Sequence, residues 1–164
     1  MSVPGIADWS NFFTVEVGAA ATLAGLVIVA ISINLARIIG IAGLPERGVE
    51  TLTMLFGVVL AGSFGLVPGQ PSAALGGEFL GTGAVMWLAI VAIQILAPRT
   101  PGEPRRSLPL RIVLGQITSL PFVIAGALVL SGAPGALFWL VPGVICCLVG
   151  AMLNTWVLLV EIVR

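Results

Sequence analysis

Five long apolar segments, separated by short polar or glycine- and proline-rich stretches, set the pattern of this chain. They cover residues 14–39, 49–67, 78–97, 110–130 and 136–163. Each is close to or above the length of about 20 residues that an α-helix needs to cross the hydrocarbon core of a membrane. The pattern predicts an all-α fold, in which residues 1–164 form a single transmembrane domain, a bundle of five spans.

Composition agrees with lipid as the solvent of this fold. The chain is 59% hydrophobic and 9% charged, against about 25% charged residues in ordinary soluble domains. A water-soluble fold would lack the polar residues to cover its surface. The net charge is zero and the arginines lie at segment ends, so we expect no nucleic-acid partner.

The most polar stretch, residues 98–111 (PRTPGEPRRSLPLR), holds four of the seven basic residues. Its prolines predict a loop, because proline lacks an N–H donor and disfavours a helical predecessor. With five spans, all seven arginines fall on one side. The positive-inside rule then places the N-terminus outside and the C-terminus in the cytoplasm. An arginine-rich chain without lysine suggests a bacterial source, so we expect a multi-pass protein of the inner membrane.

Small residues recur at helical spacing in the first, second and fifth segments. Such faces let a neighbouring helix backbone approach closely in lipid. The residues are Gly18, Gly25 and Ser32 in the first segment, Gly57, Ala61 and Gly65 in the second, and Gly143 and Gly150 in the fifth. This is more packing surface than a monomer needs, and it predicts a homo-oligomer or a complex with another membrane protein.

Two carboxylates, Glu16 and Glu78, fall at the outer ends of their predicted helices, where the topology places no basic residue. They could form a cation-attracting mouth or a proton-titrating pair, and Asn34 and Asn154 would extend it into a polar path. The alternative function is therefore a homo-oligomeric ion or proton channel, or a small transporter. The simpler interpretation is that both carboxylates are hydrated among headgroups and favoured by the helix dipole.

The opposite rim combines charges of both signs. Asn154 is predicted to form an interhelical hydrogen bond, and Glu161 is predicted to pair with Arg37 or Arg111 at the inner rim. The same rim could dock a cytoplasmic partner.

Catalytic and metal-binding motifs are absent from the sequence. There is no histidine, Asp8 is the single aspartate, and Cys146 and Cys147 are neighbours. The usual ligand sets for zinc, haem or iron–sulfur clusters cannot be assembled from these residues. We therefore expect no enzyme, no metal site, no cofactor and no catalytic residue.

Several stretches of the sequence resemble known proteins. They are residues 22–37 (TLAGLVIVAISINLAR), 44–47 (LPER), 50–52 (ETL) and 154–164 (NTWVLLVEIVR). They are similar to a group of small uncharacterised bacterial integral membrane proteins, some of which are described as modulators of a membrane protease. The resemblance implies a partner-binding role and supplies no catalytic or binding residues.

Overall fold

The computed structural model describes residues 5–96 and 107–163, with backbone alone for 107–111, 114, 157 and 159–163. Its regular elements are all helical. Two 3₁₀ turns, Ile6–Trp9 and Ala136–Trp139, precede the first and last long helices. The α-helices are α1 (Ser10–Ile33), α2 (Leu35–Gly40), α3 (Leu44–Gly65), α4 (Ser72–Leu96), α5 (Ser107–Leu130) and α6 (Leu140–Val163).

Helices α3, α4 and α5 each begin earlier than the sequence predicted. Helix α3 starts at Leu44, directly after Gly43 with φ +86°, and Pro45 lies in its first turn, where its missing N–H breaks no helical bond. Helix α4 starts at Ser72 instead of residue 78. Helix α5 starts at Ser107, so residues 107–111 are helical and the predicted loop is shorter. The rest of that loop, residues 98–106, lies outside the described residues.

The first and fifth predicted helices are each interrupted. The prediction of a single helix over 14–39 was wrong. Helix α1 starts at Ser10, and its α-helical backbone geometry ends before Asn34, which has φ −109° and ψ 15°. The Asn34 side chain donates to the Ala30 carbonyl at 3.0 Å, a local bond that competes with the helical pattern. In the fifth segment the change of geometry is the 3₁₀ turn before Leu140. Pro142 lies in the first turn of α6.

Consecutive long helices are antiparallel, and α3 to α6 form a ring with α1 packed outside α3. Small residues mark these contacts. Gly48 and Gly65 of α3 lie against Ile31 and Phe13 of α1. Within the ring, Gly57 lies against Met86, Gly83 against Val123, Gly143 against Phe122 and Gly150 against Met54.

The two ends of the bundle differ in chemistry. At one end, here called the aromatic end, Trp9 makes an edge contact with Phe138 at a centroid distance of 4.9 Å, and Phe13 lies 6.3 Å from Phe79. Phe13 and Phe79 are both buried. At the other end, here called the arginine end, Arg37 of α2 and Arg47 of α3 lie on either side of the α2–α3 turn. The turn and the antiparallel order therefore place both arginines at the same end.

The prediction of an all-α fold is confirmed for the described residues, and the length and composition of the helices support the prediction of a membrane protein. Four helical stretches among the described residues are long and apolar enough to cross a membrane: Ile6–Ile33, Leu44–Gly65, Ser72–Leu96 and Ala136–Trp156. Helix α5 adds the shorter apolar stretch Gly115–Leu130. Large apolar side chains such as Val15, Leu88 and Leu153 are exposed on the outer surface, and exposed apolar area on this scale is typical of a surface that contacts lipid.

Candidate functional site

The most unusual side chain in the bundle is Glu50 of α3. It is 6% exposed, and its Oε1 accepts a hydrogen bond from Nε2 of Gln94 on α4 at 2.7 Å. Carboxylates inside a membrane bundle are costly and frequently functional. Glu50 was not predicted as a site residue from the sequence.

Two local features of the chain put Glu50 and Gln94 together. Because α3 starts at Leu44, Glu50 lies six residues into the helix, about 9 Å along its axis. On α5, Gly115 leaves space for the Gln94 amide. A Cβ atom at Gly115 would lie 2.9 Å from Gln94 Nε2 and 2.8 Å from Cγ2 of Ile90. Glycine at 115 therefore allows α5 to close over the Glu50–Gln94 pair.

A cavity of about 350 Å³ lies beside Glu50, between α3, α5 and α6. We call it the Glu50 cavity. Its volume lies in the range of about 300–1,000 Å³ that is usual for small-molecule sites. Its polar lining is contributed by Arg47, Glu50, Thr118 and Asn154, and its apolar lining includes Met54, Ile117, Ile145, Val149 and Leu153.

The course of α5 and α6 explains why there is space here. The start of α6 touches α5 just past its middle, since a Cβ at Gly143 would lie 2.9 Å from the Phe122 ring and 3.0 Å from Cβ of Pro121. Nearer the arginine end, a Cβ at Gly150 would meet only Met54 Sδ at 3.4 Å and Thr118 Cγ2 at 4.0 Å. The two helices therefore pack tightly at Pro121 and leave room one to two turns away.

Pro121 also explains a contact of Cys147. Proline inside a helix disturbs the carbonyl groups of the preceding turn, which then need other donors. The Cys147 thiol donates to the Thr118 carbonyl across the helix interface, with a sulfur–oxygen distance of 3.4 Å. The hydroxyls of Thr118 and Ser119 both donate to the Gly115 carbonyl. The contact of the Cys147 thiol was not predicted from the sequence.

The outer carboxylates lie apart from the Glu50 cavity. Glu78 accepts a hydrogen bond from the Gln70 amide and lines a separate groove of about 680 Å³ between α3 and α4, whose other lining is almost entirely apolar. Glu16 is half-buried on α1. Phe13 of α1 and Phe79 of α4 make a ring contact at this end, with ring centroids 6.3 Å apart, and Glu16 and Glu78 lie on these same two helices. Their role as a cation mouth stays a prediction.

The two asparagines are also separated. Asn154 lines the Glu50 cavity together with Arg47. Asn34 lies at the α1–α2 break, where its amide is bonded to the Ala30 carbonyl. The structure therefore brings Asn154 together with Glu50, a residue that the polar-path prediction did not include, and it places Glu78 on another surface.

The predicted ion pairs at the rim fall partly outside the described atoms. Arg37 is exposed on α2. The side chains of Glu161 and of Arg111, the other predicted partner of Glu161, lie outside the described residues, although both backbones are helical. The rim pairing remains a prediction.

The small-residue faces divide into two groups. Gly57, Ala61 and Gly65 of α3 are buried, as is Gly143 of α6, and Gly150 of α6 is half-buried beside the cavity. On α1 the situation is reversed. In the described part of the chain, no atom lies within 4 Å of a Cβ built on Gly18 or Gly25, and Ser32 is exposed, with its hydroxyl bonded to the Ile28 carbonyl.

Among residues 5–96 and 107–163, no cluster of three side chains of the kinds that bind metal ions occurs. No family model matches this chain, and comparisons with curated proteins and with solved structures find no similar protein. A function for this chain is therefore inferred from its own surfaces and cavities.

Proposed function

We propose that this chain is a multi-pass protein of the bacterial inner membrane that crosses it five times, with the N-terminus outside and the C-terminus in the cytoplasm. The alternating direction of the five long helices supports an odd number of spans. Helix α5 is 24 residues long, enough to cross about 30 Å of hydrocarbon at 1.5 Å per residue. The shared position of Arg37 and Arg47 at the arginine end supports the orientation.

Within that membrane, the protein acts without catalysis, by associating with itself or with a membrane protein complex as a regulatory or accessory subunit. The observation that supports this is the exposed small face of α1, formed by Gly18, Ala21, Gly25 and Ser32. All four residues are exposed. Association in lipid depends on close packing of such residues, because apolar side chains gain little by leaving one apolar solvent for another.

The small face and the packed face of α1 are different sides of the helix. Phe13 and Val17 of α1 contact α3, and in an α-helix the Gly25 direction lies about a third of a turn from theirs. Only 17% of the most apolar window of α1 is buried, against 56% for α3. Helix α1 can therefore bind a second helix without leaving α3. The resemblance to proteins described as protease modulators agrees with a partner-binding role.

The test is the mass of the assembly in mild detergent, measured by light scattering for the wild-type chain and for Gly25→Leu. Leucine at 25 would hold a partner backbone away, so we expect the assembly to dissociate. The matched control is Leu26→Phe, which adds bulk at an exposed position of α1 about 100° away around the helix. It should leave the mass unchanged.

Two outcomes separate the two kinds of association. A wild-type mass that is a multiple of the chain, reduced by Gly25→Leu, indicates self-association. A second protein that purifies with the wild-type chain from native membranes, and is lost with Gly25→Leu but not with Leu26→Phe, indicates a complex. A monomeric wild-type chain without a companion protein would contradict the proposal.

A further inference from the structure

The groove between α3 and α4 is the larger of the two cavities described above, at about 680 Å³, and we call it the Glu78 groove. Its lining extends on α3 from Val49 to Phe64 and on α4 from Glu78 to Ala89, about 22 Å and about 16 Å along the two helix axes. Glu78 is the one charged residue that the structure describes in this lining. The groove is therefore a long apolar channel with a carboxylate in its wall.

The groove is open to the outer surface of the bundle along its length. Phe56 and Leu60 of α3 are each 49% exposed, and Val85 of α4 is 67% exposed. Gly81 of α4 lies between them in the wall, and no atom of the described chain comes within 4 Å of a Cβ built on it. Since this surface is apolar, a hydrocarbon chain can enter from the bilayer and lie along the two helices.

The carboxylate lies at the aromatic end of the groove. Gly57 of α3 packs against Met86 of α4 near the middle. From that contact, Phe64 is seven residues further along α3 and Glu78 is eight residues back along α4, about 10 Å and about 12 Å towards the same end of this antiparallel pair. The aromatic end of the groove therefore combines a carboxylate with a phenyl ring.

The charges around Glu78 are all of one sign. Its one partner in the described chain is the neutral Gln70 amide, and the other charged residues at this end, Asp8 and Glu16, are also acidic. The basic residues of the described helices, in α2, the first turn of α3 and the start of α5, lie at the arginine end. The electrostatic potential here therefore attracts a cation and repels an anion.

The Gln70 side chain adds a second acceptor. Its Nε2 donates to Oε2 of Glu78, whereas its Oε1 is buried and accepts no hydrogen bond from the described residues. Both atoms belong to one amide group, so Oε1 lies close to the carboxylate. A buried acceptor without a donor is costly, and a cation that carries N–H groups can donate to both oxygens.

We propose that the Glu78 groove binds a long-chain primary amine, with the hydrocarbon chain along α3 and α4 and the ammonium at Glu78. The charge-assisted hydrogen bond and the neighbouring Phe64 ring both favour a cation. Acyl chains of the bilayer can fill the apolar part equally well, so the carboxylate decides the selectivity. A phospholipid headgroup is disfavoured, because its phosphate would face an acidic end.

This site is separate from the surface used in the proposed association. The groove residues of α3 lie on the side of that helix opposite to Gly48, Gly62 and Gly65, which contact α1. The small face of α1 lies beyond that contact. Amine binding and association can therefore fail independently of each other.

The test measures saturable binding of tritiated dodecylamine to the purified full chain in maltoside micelles. Unlabelled competitors separate the contributions: dodecanol lacks the charge, dodecanoate reverses it, dodecyltrimethylammonium lacks the N–H groups and propylamine lacks the long chain. We expect each to compete roughly tenfold or more weakly than dodecylamine. Equal competition by dodecanol, or no saturable binding, would overturn the proposal, and equal competition by dodecyltrimethylammonium would overturn the assignment of a primary amine.

A matched pair of glycines on α4 locates the site. No atom of the described chain lies within 4 Å of a Cβ at Gly77 or at Gly81, but only Gly81 lines the groove. Gly81→Leu should weaken dodecylamine binding by roughly tenfold or more, because leucine would fill the groove, and Gly77→Leu should bind like the wild type. Equal affinity of the two variants would overturn the proposal. So would a Gly81→Leu chain that binds the amine normally but loses self-association, since a second copy would then cover the groove.

Glu78→Gln tests the ammonium contact. Glutamine keeps the shape of the side chain and an oxygen that can accept from Gln70, but it removes the charge. We expect dodecylamine to bind roughly tenfold more weakly, with no change in the competition by dodecanol. Unchanged affinity for dodecylamine would overturn the assignment of Glu78. If Glu78→Gln does not fold, the glycine pair and the competitors still decide the question.

Discussion

Helices α1 and α3 carry similar patterns of small residues and pack against each other, yet they use those residues in opposite ways. In α3, Gly62 lies against Val17 and Gly65 against the Phe13 ring, both on α1. In α1, Gly18 and Gly25 point away from α3, and α1 offers its larger side chains to that interface. Small-residue spacing thus shows that a helix can be approached closely, and it does not show whether the approaching element belongs to the same chain.

Hydropathy separates the two helices better than glycine spacing does. The apolar window of α1 has a mean hydropathy of 2.0, and that of α3 has 1.4. Helix α3 contains Glu50 and Thr51, both buried, because its neighbours are α1, α4 and α6 and polar groups can be bonded there. In a membrane protein the less apolar helix is therefore the more central one, since a lipid-facing helix has no partners for polar side chains.

The largest expected difference between the two helices concerns their carboxylates. Glu50→Ala removes the acceptor of the Gln94 amide and leaves a void in the core, so we expect it to lower the free energy of unfolding by about 3 kcal/mol. Glu16→Ala affects a half-buried residue on the outer helix α1. It should change the free energy of unfolding by less than about 0.5 kcal/mol. Both values can be measured by denaturant titration in mixed micelles. Equal losses would show that α1 is as central to stability as α3.

The second comparison concerns glycines of the same helix pair. A Cβ at Gly62 would lie 2.4 Å from Cγ2 of Val17, so Gly62→Leu should push α1 from α3 and cost about 2 kcal/mol of stability. Gly18→Leu meets no atom of the described chain within 4 Å of its Cβ position, and we expect a change within about 0.5 kcal/mol. The same titration checks this. A large loss for Gly18→Leu in the monomer would contradict the outward orientation of the small face.

The pattern of apolar and polar residues in the sequence predicted the long helices and several of the residues that face the interior of the bundle. Apolar periodicity located all five long helices, and of the residues singled out in the last segment, Gly143 and Gly150 lie at helix contacts of α6 and Asn154 lines the Glu50 cavity. These predictions succeeded because period and side-chain size are local properties. The number of spans and the orientation stay predictions.

Glu50 was missed for a physical reason. A helix that began at Val49 would place Glu50 in its first turn, where a carboxylate is common and well solvated. Because α3 begins at Leu44, Glu50 is instead buried near Gln94. Pro45 was the available signal, since proline favours the first turn of a helix. Its partner could not be predicted, because the pairing joins residues 44 positions apart and depends on how α3, α4 and α5 pack.

The smallest expected effect tests whether the packed volume of side chains or their hydrogen bonds distinguish α3 from α1. Thr51 is fully buried and donates to the Arg47 carbonyl at 2.7 Å, whereas Thr22 is exposed and donates to the Gly18 carbonyl at 2.8 Å. Both bonds run to a carbonyl four residues earlier, and such bonds add little to a helix. Thr51→Val and Thr22→Val should therefore both change stability by less than about 0.5 kcal/mol.

Alanine at the same positions should separate the two helices. Thr51→Ala leaves a small void between packed neighbours and should cost about 1 kcal/mol, whereas Thr22→Ala leaves no void, since lipid fills the space. Denaturant titration of all four variants measures both contrasts. If Thr51→Val were as damaging as Thr51→Ala, the Thr51 hydroxyl itself would stabilise the interior of α3. The difference between α3 and α1 would then be one of polar bonding, and packed volume would be secondary.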